Sequence, residues 1–169
     1  MYYKILLTLF VSLFVAACST KPTDTADTSG SGSTGVFNQE EGTITESSPS
    51  IVPGSQEDLI VNVGDRVFFG YDSSELDSDA KELLQDQVAW IKQHNASITI
   101  EGHCDERGTR EYNLALGEKR AQAVKNYMTS LGISSSQIST ISFGKERPAV
   151  VGSNDGAWSQ NRRSVTTVN

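Results

Sequence analysis

Two helical apolar stripes separated by an alternating run constrain this chain most. Ala80, Leu83, Leu84, Val88 and Ile91 recur at helical spacing after Asp77-Ser78-Asp79. Those acidic residues suit a helix start, where side-chain oxygens cap free amides and meet the positive end of the dipole. The helix is expected to stop near His94-Asn95, since Asn tolerates a left-handed backbone. Leu114, Gly117, Ala121, Val124, Met128 and Leu131 follow spacings of 3, 4, 3, 4 and 3, so a second helix is predicted from about Glu111 to Leu131, ended by Gly132. Between the two, Ile98 and Ile100 alternate with Thr99 and Glu101, the period of a strand.

Shorter signals fill the rest. Leu59 to Val63 reads as a short strand or edge segment, Gly64-Asp65 as a turn, and Arg66 to Phe69 as a strand entering the core. Gln137 to Phe143 reads as another strand, with Ile141 and Phe143 on one face. Gly144 to Pro148 is a turn, and Ser164 to Val168 a final strand. The expected order is β-α-β-α-β-β. The expected fold class is α/β, an α+β sandwich with two main helices packed on one face of a mixed sheet. Parallel crossovers should be right-handed. The sequence shows no internal repeat, and nothing in it calls for a second folded domain beyond residues 57–169.

The amino-terminal third has a different texture. Lys4 precedes an apolar run from Ile5 to Val15, broken by Thr8 and Ser12. A membrane span needs ~20 residues, so this run suits a cleaved signal peptide over residues 1–17. It ends Val15-Ala16-Ala17-Cys18, which resembles the lipobox of bacterial lipoproteins. That resemblance implies lipidation of Cys18, and Ser19 in place of an aspartate implies the outer membrane. Several acyl chains anchor stably, at roughly 0.8 kcal/mol per buried CH₂. From Cys18 to residue 56 the chain is rich in Ser, Thr, Gly and Pro, including Thr28 to Gly35. Too little apolar surface is present there to offset ordering entropy. A tether of about 36 such residues spans on the order of 30–36 Å. A passive spacer is the plain reading; Val36, Phe37 and Ile44 leave room for a short binding segment.

The formal net charge is −7, and loss of Lys4 with the signal peptide takes it to −8. An acidic surface repels polyphosphate, so no nucleic-acid partner is expected. The two histidines and the one thiol left after Cys18 show no metal-ligand spacing. No metal and no cofactor are expected.

The densest polar segment runs from Glu101 to Asn113, between a strand and a helix start. Scaffold-fixed loops of this kind are common binding positions, and helix amides can take a carboxylate. Leu116 and Arg120 share a helix face by i, i+4 spacing, displaced from the apolar stripe, so Arg120 is expected to reach back toward the loop instead of entering the core. Asp105 and Glu106 face Arg107, Arg110 and Arg120 in sign. Such a set suits a small zwitterion carrying ammonium and carboxylate groups. It is equally readable as surface ion pairs of about 0–1 kcal/mol each.

Gly102-His103-Cys104-Asp105-Glu106-Arg107-Gly108-Thr109, with Glu111-Tyr112-Asn113 and Leu116 to Ala121, resembles the peptidoglycan-associated lipoprotein family. So do Phe143 to Ala149 and Asn161-Arg162-Arg163. That family lies within the wider OmpA-like C-terminal domain family. The resemblance covers about residues 57–169. It implies a βαβαβ-type domain that binds meso-diaminopimelate of peptidoglycan stems non-covalently. Asp105 matches the family aspartate for the ligand ammonium, and Arg120 the arginine for a carboxylate. Arg107, Thr109 and Leu116 match further pocket positions, and Tyr71-Asp72 the aromatic–aspartate pair of the opposite wall. It also implies a TolB-type periplasmic partner and other Tol components, in a Tol–Pal system serving envelope integrity and cell division.

Enzymatic readings fare poorly. Adjacent residues on a strand point to opposite faces, so His103 is badly placed to activate Cys104. An arginine next to Asp105 and Glu106 would lower their pKa values, against a general-acid role. His94 reads as a solvated helix-terminal residue. Cys104 departs from the family pattern. It shares parity with Ile98 and Ile100, which favours a buried, inert thiol; an intermolecular disulfide in an oxidising periplasm is the alternative.

Overall fold

A computed structural model describes residues 50–169 of the chain. The expected signal peptide, Cys18 and most of the expected tether lie outside the described residues. The elements in chain order are α1 (Gln56–Asn62), β1 (Arg66–Phe68), α2 (Ser78–His94), β2 (Ile98–His103), α3 (Arg110–Ser130), a 3₁₀ turn (Ser135–Gln137), β3 (Ile138–Gly144), α4 (Asp155–Asn161) and β4 (Arg163–Val168).

Local chemistry sets the ends of the long helices. The Asp77 carboxylate accepts from the Ala80 amide at the start of α2, and Asn95 closes that helix in the left-handed region at φ 49°. Thr109 does the same for α3, its hydroxyl accepting from the Tyr112 amide. Gly132, at φ 95°, turns the chain away after α3.

The four strands form one mixed sheet in the order β1-β4-β2-β3. β2 and β3 are parallel neighbours joined by α3, whereas β4 enters antiparallel between β1 and β2. The β1-α2-β2 unit is thus split by the last strand. One face carries the core, where Leu84, Val88 and Ile91 of α2 and Ala121, Val124 and Met128 of α3 meet Val67, Ile98, Ile100 and Ile138. α3 lies directly on β2. A Cβ added at Gly102 would fall 1.9 Å from the Gly117 carbonyl oxygen, so both glycines are needed for this approach. No helix among the described residues is long and apolar enough to cross a membrane.

The expected sheet with two helices on one face is present, with three corrections. The run Leu59 to Val63 is not a strand: residues 59–62 belong to α1. Ser55 accepts from the Asp58 amide, and the buried Asp58 carboxylate accepts from Gly54 N (2.8 Å), Asn62 Nδ2 (2.6 Å) and Trp90 Nε1 (2.9 Å). That polar node outweighs the strand preference of Ile60 and Val61, which stay exposed. Second, α4 forms where the sequence pattern offers no element: the Asn154 side chain accepts from the Ala157 amide to start it, but with only Ala157 and Asn161 buried it lacks an apolar stripe. Third, the α3 stripe is rotated from the expected one. Leu114 is 49% exposed, while Asn113, Gly117 and Arg120 are buried with Ala121, Val124 and Met128. Ile141, on the sheet face opposite the helices, is also exposed.

Candidate functional site

The strand ends and the α3 amino terminus enclose a cleft of about 180 Å³. Six sequence-expected residues line it: Tyr71, Asp72, Asp105, Arg107, Leu116 and Arg120. Thr109 does not; its hydroxyl is engaged as the α3 cap. Sequence reasoning missed Tyr112, Asn113 and Arg162 as walls of the same cleft.

Asp105 sits at its floor, 5% exposed. Its Oδ1 accepts from the Arg107 amide (3.1 Å) and Arg107 Nε (3.2 Å). Its Oδ2 accepts from Arg107 Nη2 (2.6 Å) and Arg162 Nη1 (3.4 Å). Burial pushes this carboxyl up, but the Arg107 side chain and amide, with help from Arg162, override it and hold the pKa below the usual value. Arg107 is stacked between two rings, 4.3 Å from the Tyr71 centroid and 4.1 Å from that of Trp158.

Arg120 reaches back to the loop ends, as its helix face implies, and is fully buried there, 0% exposed. Its Nε donates to the Ser73 carbonyl (2.8 Å), Nη1 to that of His103 (2.7 Å) and Nη2 to that of Gly70 (3.1 Å). A guanidinium has five N–H donors, so one hydrogen each on Nη1 and Nη2 remains. Burial lowers its pKa from the ordinary arginine value, but an arginine stays charged in proteins. These bonds staple the loop after β1 to the end of β2. That is how Tyr71 and Asp72, some thirty residues before Asp105 in the chain, reach the cleft. Arg162 adds a second staple: its Nε donates to the Phe69 carbonyl (3.1 Å), and the Phe69 amide donates to the Arg162 carbonyl (2.9 Å).

Asp72 adopts φ 53° and accepts from the Tyr112 hydroxyl. That bond is the first cause of the raised Tyr112 pKa, with burial second. Asn113 Nδ2 donates to the Arg107 (2.8 Å) and Thr109 (3.1 Å) carbonyls and fixes the loop between them. A polar residue on the buried side of α3, four residues after the cap, was the available signal for its role.

Cys104 and His103 part company as the strand alternation requires. The His103 ring stacks on Phe143 (5.4 Å between centroids), while Cys104 Sγ donates to the Asn113 carbonyl (3.3 Å). Cys104 is 3% exposed, which agrees with an inert thiol and not with a disulfide to another chain. Burial raises its pKa. His94 is not freely solvated: it tilts on Trp90 (4.6 Å) and its Nε2 lies 3.7 Å from Asp58 Oδ2.

The cleft therefore offers three guanidinium groups and two carboxylates beside the start of α3, a set that can hold ammonium and carboxylate together. Residues 68–162 match the model of the OmpA family. The peptidoglycan-associated lipoprotein of Brucella melitensis biotype 1 is 45% identical over 166 residues, covering 98% of this chain and 91% of that one. That of Agrobacterium fabrum is 52% identical over 120 residues, 70% of this chain and 68% of its own. The crystal structure of the peptidoglycan-associated lipoprotein from Burkholderia pseudomallei superposes with a TM-score of 0.60 at 40% identity, covering 62% of this chain and 90% of that one. The C-terminal domain of Helicobacter pylori MotB shares the fold alone, at 18% identity and a TM-score of 0.58, covering 62% of this chain and 84% of that one.

Proposed function

Because this chain belongs to the OmpA family, and within it to the peptidoglycan-associated lipoproteins, we propose that its folded region grips peptidoglycan non-covalently through the meso-diaminopimelate of the peptide stems. The observation that carries this reading is one cleft holding Asp72, Asp105, Arg107, Arg120 and Arg162 against the start of α3. Diaminopimelate ends in a carbon bearing both ammonium and carboxylate. Arginine forks the carboxylate and aspartate takes the ammonium. Thr109 serves by shaping that helix start and Leu116 by apolar contact with the ligand's methylenes.

The chemistry favours holding over bond breaking. Asp105 is held below the ordinary carboxylate range, which suits an ion-pair acceptor and works against proton donation near neutral pH. The Cys104 thiol is pushed up, away from the nucleophilic thiolate.

In this reading residues 1–17 are removed, Cys18 carries the lipid that fixes the chain in the outer membrane, residues 18–56 supply reach, and residues 57–169 hold the wall from the periplasmic side. Many weak grips sum through effective concentration, and their reversibility lets the wall be remodelled. Family membership also supports a TolB-type periplasmic partner and a place in the Tol–Pal system at constriction.

The test is calorimetric titration of the detergent-solubilised full chain with a meso-diaminopimelate stem peptide, beside a lysine stem. Saturable binding to the first, lost in Asp105→Asn, is the expected result. Absence of binding by a folded sample would overturn the wall-anchor reading and leave a protein-partner role as the better account.

A further inference from the structure

Asp105 has no acceptor direction left for a ligand. A carboxylate offers about four lone-pair sites. Here all are used, two on each oxygen, three by Arg107 and one by Arg162. Arg107 is also held from both sides by the Tyr71 and Trp158 rings. Trp158, on α4, is oriented in turn by donating from Nε1 to Glu106 Oε1 (3.0 Å). An incoming ammonium can reach Asp105 only if the Arg107 guanidinium leaves.

We infer that Arg107 is an internal competitor for the ligand's ammonium, clamped over Asp105 by Tyr71 and Trp158, and that this contact makes the cleft selective for a zwitterionic carbon. The inference rests on the diaminopimelate reading above and deepens it. A lone ammonium that displaced Arg107 would leave the guanidinium without its carboxylate. A carbon bearing both groups exchanges both partners at once: its ammonium goes to Asp105 and its carboxylate to Arg107. No charge is then stranded, and each charge-assisted bond is replaced by another. A lysine side chain brings the ammonium alone, so it meets the full cost of opening. Trp158, which neither spacing nor periodicity singled out, becomes a specificity-determining residue without lining the cleft itself.

The closed contact lowers apparent affinity by the fraction of molecules that are open. For a minor state a few kcal/mol above the closed one, that fraction is on the order of 0.1–10%. Arg107→Gln removes the competitor, so the lysine stem should bind roughly ten-fold tighter or more than it does to the wild type, and the preference for the diaminopimelate stem should shrink accordingly. Trp158→Leu loosens one side of the clamp and should move the lysine stem the same way by a smaller factor.

The experiment titrates wild-type, Arg107→Gln and Trp158→Leu full chains in detergent with both stems by calorimetry. In parallel, Trp158 emission is followed in a Trp90→Phe background, which silences the second of the chain's two tryptophans. Emission that changes with the calorimetric midpoint, together with a collapsed preference in Arg107→Gln, supports the exchange. Saturable diaminopimelate binding with unchanged Trp158 emission, or an unchanged preference in Arg107→Gln, overturns it while leaving the binding reading intact. Failure of the wild type to bind the diaminopimelate stem overturns the binding reading itself.

Discussion

Two buried aspartates sit at opposite ends of this fold and do different work. Asp58 is 9% exposed and Asp105 5%, and each carboxyl is held below its ordinary pKa. Asp58 is satisfied by neutral donors built into the scaffold: the Gly54 amide, Trp90 Nε1 and Asn62 Nδ2, with His94 near by. Asp105 is satisfied mainly by guanidinium groups, one of them on the one-third exposed Arg107 side chain. Neutral, packed donors make a fixed joint. Cationic donors on a partly exposed side chain make a contact that another ion can replace. Burial alone does not mark a site; the exchangeability of the partners does.

The comparison can be broken at several points. The largest expected effect is on ligand affinity in Asp105→Asn. Losing one charge of a buried ion pair costs about 2–3 kcal/mol or more, so binding of the diaminopimelate stem should fall on the order of 100-fold. Its thermal midpoint should fall less than in Asp58→Ala, because the one-third exposed Arg107 can turn its guanidinium to water while the amide oxygen still accepts from the Arg107 backbone N–H. Calorimetry and thermal melting on one preparation check both halves. Asp58→Ala should show the reverse. It strands the Trp90 and Asn62 donors and the Gly54 amide, so the midpoint should drop by roughly 5–10 °C while stem affinity stays put. A large affinity loss in Asp58→Ala would mean the two ends are coupled.

Acid separates a third buried group from both aspartates. His103 is 1% exposed, and burial first, then Arg163 and Arg147, lowers its pKa to about 4. Unfolded, it titrates near 6.5. Its contribution is therefore fully present above about 6.5 and is lost as pH falls toward 4, because the unfolded chain binds the proton more readily. Denaturant unfolding should lose roughly 2–3 kcal/mol across that window in the wild type and much less in His103→Gln. The two aspartates act lower. Their folded pKa values lie below 3.8, so their contributions persist above 3.8 and fade only as pH drops through the folded values.

The smallest effect belongs to the cleft's other carboxylate. Tyr112→Phe removes the hydroxyl that donates to the exposed Asp72. A few-fold change in stem affinity with no change in midpoint is expected, since one hydrogen bond at an exposed position is worth about 0.5–1.5 kcal/mol.

What the sequence determined by itself was local and periodic. The caps at Asp77 and Asn95 and the alternation through Ile98 and Ile100 are short-range effects that the chain carries wherever it goes. The polar segment from Glu101 to Asn113 was legible as a site for the same reason. Only the tertiary structure decided the rest. It turned 59–62 into a helix, because Asp58 found Trp90 thirty-two residues away. It rotated Leu114 outward and Arg120 inward, because Gly117 must lie against Gly102. It brought Tyr71, Arg162 and Trp158 around Asp105 and Arg107, through carbonyl staples and ring stacking that join distant strand ends. Periodicity reports which face of an element is apolar. Which partner that face meets, and which charges are brought together when it does, depends on contacts between segments far apart in the chain, and no local pattern encodes those.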